Sequence, residues 1–187
     1  MAAVETGSRG VSREQWLQEA LKVLNESGID HVTIHGLACR LGVSRSGFYW
    51  HFRDRDALLD AMLDEWMTYT TVVTEDEDIR ALDPLSRLIR IAETVHDDRL
   101  GRFDVAMNHW ALHDERAARS ARSGSRKRNA FVRKAFAELG FTGDTLEIRT
   151  MLFSCHTTWE AVMFPYIARK RRRAMIRERV ELLTRKE

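Results

Sequence analysis

Residues 33–59 read TIHGLACRLGVSRSGFYWHFRDRDALL. Ile34, Leu37, Ala38 and Leu41 recur at helical spacing, and Thr33 stands where a side-chain oxygen can cap the first turn. Gly42 follows the last apolar residue and suits the left-handed position that ends a helix. Val43 can anchor the turn in a core, and Ser44 can cap a second helix that begins at Arg45. Two short helices joined by a glycine turn form a helix-turn-helix, whose second helix is shaped for a DNA major groove.

The faces of that second helix differ in chemistry. Phe48 and Phe52 lie four residues apart and share the inward face. At about 100° per residue, Ser46, Gly47 and Trp50 fall on the opposite face, with Arg45 and Tyr49 on its flank. An outward Trp is hard to justify by solubility. Against DNA it can lie on a thymine methyl or a sugar, while Arg45 can fork onto guanine O6 and N7. Gly47 lets the backbone approach closely.

The run Leu41-Gly42-Val43-Ser44, then Phe48-Tyr49-Trp50-His51-Phe52, then Arg55 with Leu58-Leu59, resembles the DNA-binding head of TetR-family regulators. The resemblance implies base reading by Arg45, Ser46, Gly47 and Trp50, with His35 of the first helix also touching a base. It implies phosphate contacts by Thr33, Tyr49, His51 and Arg55. Arg55 stands where Lys is commoner, and Gly36 where a polar helix former is commoner, which weakens the first helix a little. The competing reading is a purely structural hairpin whose aromatics only pack.

The remainder predicts an all-α protein: two prolines, no long β-branched run and 44% apolar residues across 187 positions. A tail over 1–11 precedes a head over 12–56, where Ser12 with Gln15 forms a capping box before Trp16, Leu17, Ala20, Leu21 and Leu24. A helix over 56–73 links the head to a body over 74–187. Within the body Glu75–Asp78 reads as an acidic loop, Asp83-Pro84 as a helix start, Gly101 as a break, Asp114 as a cap, and Ser123-Gly124-Ser125 as a kink or frayed point. Asp144 with Glu147 reads as a second capping box.

The helix near 144–164 is apolar on several sides. Ile148, Leu152, Cys155, Trp159, Val162 and Met163 make one stripe, while Leu146, Met151, Phe153, Phe164 and Ile167 cover other directions. Such a helix must be buried on several sides, and a chain of this length cannot cover them all. With the helix near 171–185 it predicts a homodimer, as two-fold operators and the resemblance also imply. Capping of the monomer core is the alternative.

The resemblance further implies a cavity in the body for an unidentified small-molecule effector. Candidate liners are Phe103, Met107, Trp110, Met151, Cys155 and Trp159, a set that plain core packing also explains. His109, His113 and His156 lack the spacing of a metal site, and no cofactor is expected. Cys39 and Cys155 read as buried, reduced thiols. The arginines at 119, 122, 126 and 128, with Lys127, and the run Arg169–Arg173 read as solvated faces or loops that could attract an anion.

The net charge of +2 does not itself reveal a nucleic-acid partner. The signal is local: Arg40, Arg45, Arg53 and Arg55 cluster around the turn, with Asp54 and Asp56 the nearby acids. No signal peptide or run of transmembrane length is visible, so a bacterial-type cytoplasm and no membrane are expected. The function expected is a dimeric repressor that binds palindromic double-stranded DNA and is released by its effector. An enzyme built on the histidines and Cys155, or a helical protein-interaction module, is the alternative. No Ser-His-Asp order or phosphate loop favours the enzyme.

Overall fold

A computed structural model describes residues 10–186, whose regular elements are all helices, with no strand among them. The expected tail over 1–11 lies mostly outside the described residues. The helices are α1 (Arg13–Ser27), α2 (Ile34–Leu41), α3 (Ser46–Tyr49), α4 (Arg55–Glu75), α5 (Glu77–Ala81), α6 (Pro84–Asp97), α7 (Leu100–Ala111), α8 (Glu115–Glu138), α9 (Gly143–Met163), α10 (Arg169–Ala174) and α11 (Ile176–Thr184). A 3₁₀ turn over Ile29–His31 joins α1 to α2. The chain divides into two units between Asp64 and Glu65, inside α4.

The first unit is held by aromatic packing. Trp16 and Phe48 meet edge to face at 5.4 Å, and Phe48 stacks on Phe52 at 5.3 Å. Leu21, Leu24, Leu37, Leu58 and Leu59 close around them, all buried. Fully burying a side chain such as Phe48 contributes about 1.5–3 kcal/mol. The start of α1 carries the reciprocal capping box of Ser12 and Gln15. Thr33 Oγ1 accepts the Gly36 amide at 3.0 Å, and Gly42 ends α2 at φ 68. The Val43 amide turns back to the Ala38 carbonyl at 3.0 Å, which closes the turn.

In the second unit α7, α8 and α9 pack on one another, and α11 lies against α6. The core joins Leu88, Ile89, Phe136, Phe153, Ile176 and Val180. Asp83 caps α6 with Pro84 in its first turn, and Asp114 caps α8.

Several local expectations are corrected. Ser44 does not cap a helix at Arg45: its hydroxyl lies 2.7 Å from that of Ser46, and α3 is one turn long. The acidic stretch is not all loop, because Asp76 accepts the Ile79 amide and starts α5. Gly101 does not break the chain but lies in the first turn of α7, where a Cβ would sit 2.5 Å from the Thr158 carbonyl oxygen of α9. Ser123–Ser125 neither kinks nor frays α8, because Gly124 seats Trp66 and Thr70 of α4 against the helix. No capping box opens α9: its N-cap is Thr142, and Glu147 instead pairs with Arg133 at 2.7 Å.

Both cysteines are exposed, against the expectation of burial. The arginine run after Pro165 is a short helix with internal partners. Arg169 donates to the carbonyl of Asp97, Arg172 to those of Phe164 and Ile167, and Arg173 pairs with Glu93 and Asp97. These bonds satisfy chain ends around α6 and α9, a task invisible in a linear charge run.

Candidate functional site

The outer face of the helix-turn-helix is built from residues that the inner packing leaves over. Phe48 is 0% exposed and Phe52 3%, so the next residues around the helix must face out. Trp50 is 87% exposed and Tyr49 59%. Arg45 and Ser46 are exposed beside them, and Gly47 is half-buried with open space where a Cβ would stand.

The arginines around the turn are not equivalent. Arg40 is tied to Glu19 and Glu26 of α1, the latter at 2.9 Å. Those bonds, led by the one to Glu19, raise its pKa further above the ordinary range. Arg53 pairs with Asp54 at 2.7 Å. The Asp54 carboxylate also accepts the Ala57 amide at the start of α4, and that bond and Arg53 hold its pKa below the usual carboxylate value. Only the side chain of Arg45 has no partner among the described residues of this group. The carboxylates of Glu19 and Glu26, distant in sequence, were the missing half of the local charge count.

The residues expected to hold phosphates have internal bonds as well. Arg55 donates through Nε to the Val32 carbonyl at 2.7 Å and through Nη2 to that of Ile29 at 3.0 Å. Nη1 remains for an external acceptor. His51 Nε2 lies 2.8 Å from the Val11 carbonyl oxygen, tying the segment before α1 to the end of α3. Thr33 accepts an amide while its hydroxyl proton stays available. His35 is exposed on α2, with Cys39 Sγ 3.8 Å from its Nε2. Among the described residues no three His, Cys, Asp or Glu side chains come together as a metal site.

The second unit contains a cavity of about 230 Å³. Of the candidate liners, Phe103, Cys155 and Trp159 border it. Met107 and Trp110 do not: they are buried in the packing of α7. Met151 does not either, being 64% exposed on the outer side of α9. The liners that sequence reasoning missed include Trp66, Tyr69, Asn108, Asn129 and an ion pair. Asp104, 3% exposed, takes both its oxygens to 2.7 Å from Arg128 Nη1. Arg128 is therefore no part of a solvated face. Burial pushes the Asp104 carboxyl up, outweighing the opposing pull of Arg128 and of the Trp66 indole. An acid inside the apolar run of residues 103–107 was the available signal.

Besides Trp159, which also borders the cavity, α9 shows solvent an apolar side of Ile148, Met151, Leu152, Val162 and Met163, joined by Leu182 of α11. Its opposite side buries Glu160, which binds His96 and Arg179. Desolvation pushes the Glu160 carboxyl up, but those two partners win and hold it below the usual range.

Residues 17–62 match the family model described as bacterial regulatory proteins, tetR family. Its N-terminal unit is thus similar to the DNA-binding domain of the tetR family. The class C tetracycline repressor protein of Escherichia coli is 39% identical over 70 residues, 36% of this chain and 32% of the repressor. Similarity to the HTH-type transcriptional regulator TtgR of Pseudomonas putida runs further, at 28% identity over 106 residues, 52% of this chain and 50% of TtgR. Matched stretches thus span about a third to a half of these relatives. In fold, the likeness extends to nearly all of the chain: the TetR-family regulator PfmR of Thermus thermophilus superposes with a TM-score of 0.71 at 19% identity, covering 95% of this chain and 97% of PfmR. A transcriptional regulator from Rhodococcus superposes at 0.70 and 18% identity, covering 93% and 94%. The all-α fold with an N-terminal helix-turn-helix is therefore that of tetR regulators. No helix among the described residues is long and apolar enough to cross a membrane.

Proposed function

We propose that this chain is a sequence-specific DNA-binding transcriptional repressor that acts as a homodimer and leaves its operator when a small molecule enters the body cavity. The observation that carries the reading is the outward set on the helix-turn-helix. A side chain as large as Trp50 stands 87% exposed beside an unpaired Arg45 and an open Gly47. Trp50, Arg45 and Ser46 read base edges and His35 reaches an adjacent one. Tyr49, Thr33, the free Nη1 of Arg55 and the second ring nitrogen of His51 hold phosphates, which fix register without reading sequence.

Dimerisation through α9 and α11 accounts for the exposed apolar side of α9, which runs from Ile148 to Met163 over about four turns and is too large for an isolated surface. The pairing places two heads for a palindromic operator. The effector acts by binding better to a state whose heads no longer match the half-site spacing; without that difference it shifts nothing. The relatives above are named as repressors or regulators, which favours this reading over an enzyme or a protein-interaction module.

Alanine at Trp50 or Arg45 tests the reading face. Each is exposed, so folding and dimer mass stay at wild type. Operator affinity, measured by fluorescence anisotropy, falls by about 1–3 kcal/mol for Arg45. Wild-type affinity in both variants would remove the assignment.

A further inference from the structure

We infer that the effector taken by the body cavity is a small, flat, electrically neutral molecule that presents a hydrogen-bond acceptor to Arg128. The inference rests on the effector reading proposed above.

Three observations carry it. First, the cavity is small, about 230 Å³, against roughly 300–1,000 Å³ for common ligand pockets. Its walls include Trp66, Tyr69, Phe103, Phe131, Phe153 and Trp159, which favour a flat ring system. Second, Asp104 and Arg128 are the charged liners among the described residues, and they neutralise each other. Asp104 is almost fully buried with both oxygens taken by Arg128, so a cation finds no free carboxylate. An anion would bring one net negative charge beside that buried carboxylate, a costly arrangement in a site of low dielectric. Third, Arg128 is not exhausted by its partner. Nη1 serves Asp104 and the guanidinium lies 5.9 Å from the Trp66 ring centre, while Nε and Nη2 have no partner among the described residues. Those groups are donors only, so what they ask of a ligand is an acceptor such as a carbonyl oxygen.

Asp104 thus sets the ligand's charge from behind Arg128. With Asn in its place the shape is kept and the guanidinium is left with an uncompensated charge. The site then prefers an anion. Asn also keeps one carbonyl oxygen to accept from Arg128 Nη1, so Asp104→Asn is compatible with folding.

The test uses four probes of one ring size: naphthamide, naphthoate, naphthylmethylammonium and naphthalene. Binding to the full-length chain is measured by calorimetry and by thermal stabilisation, without DNA. The wild type is expected to bind naphthamide about tenfold tighter than naphthalene, the worth of one hydrogen bond, and tighter than either ion. Asp104→Asn is expected to reverse the order of naphthamide and naphthoate. The double variant Asp104→Asn, Arg128→Gln, which removes both charges, is expected to bring naphthamide to within a few-fold of naphthalene. Tighter binding of either ion by the wild type, no detectable naphthamide binding, or an unchanged order in Asp104→Asn would overturn the inference. Operator release is read separately. Binding without release counts against the repressor mechanism and leaves the cavity assignment standing. Absent binding with intact operator affinity counts against the cavity assignment alone.

Discussion

Replacing Gly47 by Ala should separate folding from DNA binding. A Cβ built on Gly47 meets nothing within 4 Å, and its backbone is not in the left-handed region. The substitution therefore introduces no clash, and it removes the entropy that glycine loses on entering a helix. Compatible Gly→Ala changes contribute about 0.4–1 kcal/mol, and the single turn of α3 places this one at the lower end. At about 2–4 °C per kcal/mol for a chain of this size, the melting temperature should rise by about 1–2 °C. The same methyl projects from the face that carries Trp50 and Arg45. If α3 lies against base edges there, the methyl holds the helix off and weakens contacts worth about 1–3 kcal/mol each. Thermal melts and anisotropy titrations on one protein preparation measure both effects. A lowered melting temperature would refute the open-space argument, and unchanged operator affinity would refute the placement of Gly47 at the DNA.

Gly101→Ala should behave in the opposite way: its Cβ would fall 2.5 Å from a backbone oxygen of α9. Overpacking costs about 1–3 kcal/mol, more than the helix propensity gained, so urea titration should show a lower midpoint. Met151→Glu places a charge on the exposed side of α9, and sedimentation should report monomer with unchanged helicity; a dimer that persists would move the interface elsewhere. Glu160 carries a folded-state pKa below its ordinary value because Arg179 and His96 bind the charged form. Between those two pKa values the unfolded chain binds more protons than the folded one, so stability present above the ordinary glutamate value is lost as pH falls toward the depressed one. Glu160→Gln should flatten that acid-side slope in a pH series of melts, and a slope identical to wild type would show that the Glu160 pairs do not matter.

The helix-turn-helix was legible because every level agrees there. Thr33, Gly42 and the Phe48–Phe52 pair each have one local task, and their spacing is enough to state it. Signals that depend on a partner distant in sequence were not legible. Gly101 and Gly124 look like breaks in a linear reading and are contact points in the folded one, where α7 meets α9 and α8 meets α4. Arg169, Arg172 and Arg173 look like a solvated run because the carbonyls and carboxylates they bind lie elsewhere along the chain. The cavity failed in the same way. Helical spacing identifies an apolar residue but not which side of a tightly packed helix borders empty space. Phe103 reaches the cavity, while Met107 is sealed in the core. Asp104 was the residue to single out, since a buried acid needs a partner and Arg128 supplies it.

On the proposed function, the outward face of α3 reads a duplex as one half of a symmetric pair. Selection of bound sequences from a random double-stranded pool, with affinity for the winner followed against salt, tests it most directly. The expected outcome is a two-fold symmetric consensus with half-sites about one helical turn apart or a multiple of it, and a log–log salt slope that grows with the number of phosphates held. Binding that enriches no sequence, or that enriches one without symmetry and without salt dependence, would contradict it.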